Sequence, residues 1–119
     1  MLIFHLKKEW FEKIKSGEKT HEYRICNKYW TERIIKIQKR FEQRKTIIDI
    51  TKQYPTEVVI VFTRGYPSYD DFDMYVSAII KNISIIDGKD TDLKYDGKVF
   101  DIEFELLEKK YDKKNSLSM

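Results

Sequence analysis

Hydrophobic and polar positions alternate most regularly near the end of the chain, where Phe100, Ile102, Phe104 and Leu106 interleave with Asp101, Glu103 and Glu105. A period of two sends successive side chains to opposite faces, so this pattern predicts a strand with one buried and one polar face. Val58-Val59-Ile60-Val61-Phe62 is instead an unbroken apolar run of strand length, expected where both faces are covered. Thr63-Arg64-Gly65-Tyr66-Pro67 ends that run in a turn, and Ser68 to Asp73 follow as a polar, acidic loop. Met74 to Ile86 is rich in strand formers, but its alternation slips between Ala78-Ile80 and Ile79-Ile83-Ile85, which predicts a bulge or strong bend. Asp87-Gly88 makes a turn, and the loop from Asp90 to Gly97 offers Leu93 and Tyr95 as anchors.

The first half reads differently. Leu2 to Leu6 predict a short strand, and Lys7-Lys8-Glu9 open a helix whose apolar face is Trp10, Phe11 and Ile14. Gly17 stands where a helix ends in a left-handed residue. Glu18 to Cys26 predict a strand, and Asn27 is the expected N-cap of a second helix with Trp30, Ile34, Ile37 and Phe41 at helical spacing. The other faces of that helix carry Lys28, Arg33, Lys36, Lys39, Arg40, Arg44 and Lys45 against Glu32 and Glu42. Thr46 to Tyr54 fit a further strand, a helix end or part of an insertion, and Pro55 breaks whichever forms. The order β-α-β-α followed by strands argues for an α+β fold. Several curved strands in so short a chain favour a small, partly closed barrel with two flanking helices.

Composition narrows the class. One domain accounts for 119 residues, and 41% hydrophobic with 14% aromatic residues suffices for one core. Residues 109–119 lose all periodicity and are expected to form a flexible tail behind a domain of residues 1–108. Lys and Arg total 23 against 20 Asp and Glu, so the net charge of +3 says little about a partner; the distribution of charge says more. Cys26 is the single cysteine, so neither an internal disulfide nor a cysteine-based metal site can form, and a small buried apolar role is expected for it. Two histidines, His5 and His21, are too few for a typical zinc site, and the acidic loop Asp70-Asp71-Asp73 reads as solvated. No metal or cofactor is expected. Leu2-Ile3-Phe4 is too short for a signal-peptide core and no run of about twenty apolar residues occurs, which points to a cytoplasmic protein.

The chemistry gathers on the strand after Gly17. Alternation places Thr20, Glu22 and Arg24 on one face, each about 7 Å from the next, and Lys19, His21, Tyr23 and Ile25 on the other, which becomes apolar enough to pack. Arg24 and Lys19 can hold a phosphate or carbonyl oxygen, Glu22 can accept from an amino group, and Thr20 can donate or accept. Spacing alone favours a solvent-facing strand on which Glu22 and Arg24 merely pair. His21 reads as a half-buried, satisfied histidine.

Leu6-Lys7-Lys8-Glu9-Trp10-Phe11-Glu12-Lys13-Ile14-Lys15-Ser16-Gly17-Glu18-Lys19-Thr20-His21-Glu22-Tyr23-Arg24 resembles the opening of the ASCH family, relatives of the PUA and EVE domains: a strand, a helix with an aromatic pair, then G-x-K-T-x-E-x-R. Phe62-Thr63-Arg64-Gly65-Tyr66 and the closing strand fit more loosely. The resemblance implies a PUA-like β-barrel of about five to six strands and association with RNA or a modified nucleotide. It also implies a cleft lined by Lys19, Thr20, Glu22 and Arg24. One branch with this fold hydrolyses the acetyl amide of N4-acetylcytidine with a lysine, a threonine nucleophile and a glutamate. Its lysine corresponds to Lys19, but its threonine falls at Glu22, so the nucleophile is missing here.

Tyr29, Arg64 and Tyr66 complete the candidate ligand contacts, Tyr29 by stacking on a base and the other two from a strand end; Trp30 belongs to the packing stripe. Three functions follow. The first is a module binding RNA or a nucleotide, with Arg64 and the basic helix on flanking phosphates. The second is a hydrolase on RNA or a modified nucleoside, with Lys19 and Glu22 as acid–base residues. The third is a regulatory protein, such as a phage-encoded factor, docking an unnamed protein partner through the second helix.

Overall fold

The computed structural model describes residues 2–51 and 58–107, with backbone alone over 44–51. Five strands and two α-helices form among these residues, in the order β1 (Leu2–Leu6), α1 (Lys8–Lys15), β2 (His21–Ile25), α2 (Lys28–Thr51), β3 (Val59–Arg64), β4 (Tyr75–Asp87) and β5 (Lys98–Leu106). Short 3-10 turns at Phe72–Met74 and Gly88–Asp90 precede and follow β4. The fold is α+β, and the sheet order is β1-β3-β4-β5-β2. Only β1 and β3 are parallel among the pairs of known register; β3–β4 and β5–β2 are antiparallel. No helix among the described residues is long and apolar enough to cross a membrane.

Two compact units divide the chain and interleave along it. The first takes in residues up to Thr20, Val59–Ile79 and the chain from Phe104. Its core follows from the alternation: Leu2, Phe4 and Leu6 are the buried side of β1, and Ile60 and Phe62 that of β3. Parallel register sets Phe4 beside Phe62, and Phe62 also meets Phe104 at 4.7 Å between ring centroids. Helix α1 lies against β3 and buries Phe11 and Ile14, while Trp10 is only half-buried. Gly17 closes the helix with φ +87°, its N–H donating to Ile14 O, a conformation that costs an L side chain about 1–2 kcal/mol.

The second unit takes in His21–Val58 and Ile80–Glu103. Asn27 caps α2 as expected, its Oδ1 accepting the Trp30 N–H at 2.9 Å, and Ile34, Ile37 and Phe41 are buried. Phe100 and Ile102 supply the buried side of β5 in this unit, and Val99 is buried on the other face.

Several expectations change. The strand predicted from Glu18 begins at His21, because the helix end claims the residues before it: the Lys19 N–H donates to Lys13 O at 3.0 Å. Val59 and Val61 are half-exposed, so β3 alternates rather than being covered on both faces. Helix α2 continues to Thr51, since neither Gly nor Pro interrupts it, and the remainder of the ambiguous stretch lies outside the described residues, as does the tail 109–119. The slip in β4 falls where Ala78, Ile79 and Ile80 are buried in succession. Leu93 and Tyr95 are exposed, yet Tyr95 does tie its loop down, its N–H donating to Gly88 O. Buried Thr91 adds a second anchor, its hydroxyl donating to Gly88 O and accepting the Leu93 N–H. Cys26 is half-exposed, not buried.

Candidate functional site

Strand β2 carries Glu22 and Arg24 in antiparallel register with Ile102 and Phe100. Part of the polar face is interior: Glu22 is 5% exposed. Its burial is compensated locally, as Oε1 accepts the Tyr23 N–H at 3.1 Å and Oε2 accepts from the Arg24 guanidinium at 3.3 Å. The same guanidinium lies 4.7 Å from the centre of the Trp30 ring. Arg24 is thus held between a carboxylate and an indole, and Trp30, whose spacing places it at the start of the packing stripe, is half-buried and braces a cation.

The opposite side of β2 is as polar as it is apolar. His21 Nδ1 lies 2.7 Å from Asp101 Oδ1, the half-buried, satisfied state expected of this histidine. Tyr23 is raised above tyrosine's ordinary pKa, first by burial and then by the carboxylates of Asp101, Asp92 and Glu22, all of which oppose a phenolate. A raised value in the fold means that the neutral phenol stabilises it. That contribution is complete below the unfolded value, near 10, and is lost as pH climbs through the folded one. Alkaline titration of phenolate absorbance should therefore show one of the eight tyrosines ionising late, and Tyr23→Phe should abolish that component. Its persistence in the variant would refute the assignment.

Lys19 and Thr20 belong to the other unit. Lys19 is half-buried with its ammonium 4.7 Å from the centre of the Trp10 ring, and Lys13 approaches the same ring at 4.9 Å. Thr20 is exposed, precedes the strand, and accepts the Phe104 N–H on its carbonyl. Arg64 ends β3 half-exposed, whereas Tyr66 is 86% exposed and stacks on His5. His5 escaped the sequence reading because its neighbour Thr63 is set by the parallel register of β1 and β3, a pairing no local pattern encodes.

A row of exposed cations lies on α2. Lys28, Arg33, Lys36, Lys39 and Arg40 are all exposed. At about 100° per residue they occupy an arc of about 140°, opposite Ile34, Ile37 and Phe41. Tyr29 lies within that arc, 52% exposed, with the Arg33 guanidinium 3.4 Å from its ring centre. Glu32 is the one acid inside the arc, and the axial span from Lys28 to Arg40 is about 18 Å. Among the described residues no group of three or more His, Cys, Asp or Glu could hold a metal ion. The chain matches no protein-family model, no characterised protein and no solved structure.

Proposed function

We propose that this chain is an ASCH-type, PUA-like domain of the cytosol that binds RNA, with the exposed cationic arc of α2 tracking phosphates. The arc carries the reading: five cations on one helical face, backed by a buried apolar stripe, form a rigid row rather than a scatter of surface charge. Each phosphate neutralised releases condensed counterions, so such a row gains affinity for a polyanion far beyond what a net charge of +3 suggests. The resemblance of the N-terminal segment to the ASCH opening supports the same reading, as do the α+β class and the five strands. Arg24 is a preset guanidinium for a nucleotide oxygen, with Glu22 and Trp30 fixing its direction.

The engagement of Glu22 with Arg24 and with the Tyr23 N–H favours binding over acid–base catalysis, for which a carboxylate needs access to its substrate. Fluorescence anisotropy of a labelled single-stranded RNA tests the proposal. The double variant Lys36→Glu/Arg40→Glu should bind about ten-fold more weakly or worse, because two attractive contacts become repulsive. Both side chains are exposed, so the fold should be unaffected. Equal affinity of the two proteins would refute the reading.

A further inference from the structure

The edge of the first unit holds a second arrangement of a kind suited to nucleotides. His5 and Thr63 are register partners on the parallel strands β1 and β3. The Thr63 hydroxyl donates to Gly65 O at 2.7 Å, and His5 Nδ1 lies 2.8 Å from the Thr63 oxygen and 3.1 Å from the same carbonyl. A carbonyl only accepts, and the threonine's single proton is already spent on it. An Nδ1 hydrogen shared between the two oxygens satisfies all three contacts. The imidazole is pinned along that edge, and Thr63, 2% exposed, anchors it from within. The left-handed turn at Gly65, φ +65°, then returns the chain so that Tyr66 lies over the imidazole, with 4.1 Å between ring centres and 25° between planes. One face of Tyr66 is used by His5, and 86% of the residue is open.

We infer that Tyr66, held flat by His5, is a stacking platform for an unpaired nucleobase; this rests on the reading of the chain as an RNA binder. An exposed tyrosine ordinarily loses side-chain freedom when it takes up a base, whereas this ring is ordered beforehand. Stacking is indifferent to base identity but requires a base outside a duplex. Tyr69, equally exposed at 89%, has no ring partner among the described residues and lacks this support.

Binding of fluorescein-labelled oligoadenylate and of an RNA duplex of equal length separates the outcomes. Tyr66→Ala should weaken oligoadenylate binding about ten- to a hundred-fold and leave the duplex unchanged, Tyr66→Phe should bind as the parent does, and Tyr69→Ala should have no effect. His5→Ala, which frees the ring, should fall between. If Tyr66→Ala binds oligoadenylate normally while Lys36→Glu/Arg40→Glu does not, the platform is refuted and the RNA reading stands. Equal losses from Tyr66→Ala and Tyr69→Ala would also refute the platform. If the parent protein binds neither RNA, both inferences fall.

Discussion

Phe62→Ala should lower the unfolding free energy by about 4 kcal/mol, a large share of the stability of a chain of this size. Phe62 is fully buried on β3, stacked at 5.5 Å on Phe4 of the parallel neighbour and tilted at 4.7 Å against Phe104. Removing the ring forfeits its transfer free energy and leaves a cavity between two aromatics that the flanking strands cannot easily collapse. Phe62→Leu should cost much less, about 1–2 kcal/mol, because most of the volume remains. Phe72, 79% exposed, is the control, and its alanine variant should shift stability by less than about 0.5 kcal/mol. Urea denaturation followed by circular dichroism measures all three; similar midpoints for Phe62→Ala and Phe72→Ala would refute this placement of the core.

Glu22→Ala should be nearly as damaging, at about 3 kcal/mol. The variant leaves the Arg24 guanidinium, whose side chain is 22% exposed, without its carboxylate, and the Tyr23 N–H without that acceptor. Partial exposure of Arg24 places the cost at the lower end of what breaking a buried pair entails. Glu22→Gln should recover part of the loss by keeping an acceptor. The double variant Glu22→Leu/Arg24→Met removes both charges together, so it should be more stable than the sum of its single variants implies. Strict additivity would show that the pair is not coupled. A catalytic Glu22 would behave in the opposite way, since its loss would spare stability and remove activity.

The extent to which these features were legible in the sequence follows the range of the interaction behind each. The periods of α1, α2 and β5 are local, so Phe11, Ile34 and Phe104 could be assigned to the core from spacing alone. The Asn27 cap and the left-handed Gly17 are equally local, each needing one residue type at one helix end. What escaped depends on pairing between distant strands. Asp101 meets His21 only because β5 and β2 pair in a particular register, and Thr63 meets His5 only across β1 and β3. The pairing of Glu22 with Arg24 was legible as an alternative two residues apart on one strand face, but the burial of the carboxylate was not, because the Tyr23 N–H that helps compensate it is a backbone group. Lys19 and Thr20 were extended into the strand because the helix end that holds the Lys19 N–H carries no mark in a strand pattern. The cations of α2 were visible from the start. Their confinement to one arc follows from the helix continuing through them, with buried residues on the opposite side.

RNA recognition by the α2 arc is tested most directly by the salt dependence of affinity. Five single-strand phosphate contacts predict a slope of log affinity against log salt near about −3.5, or roughly a hundred-fold weakening between about 50 and 200 mM. Lys36→Glu/Arg40→Glu removes two contacts, so its slope should flatten to about −2. A slope near zero in the parent protein, or one unchanged in the variant, would contradict the assignment of α2 as the phosphate-binding surface.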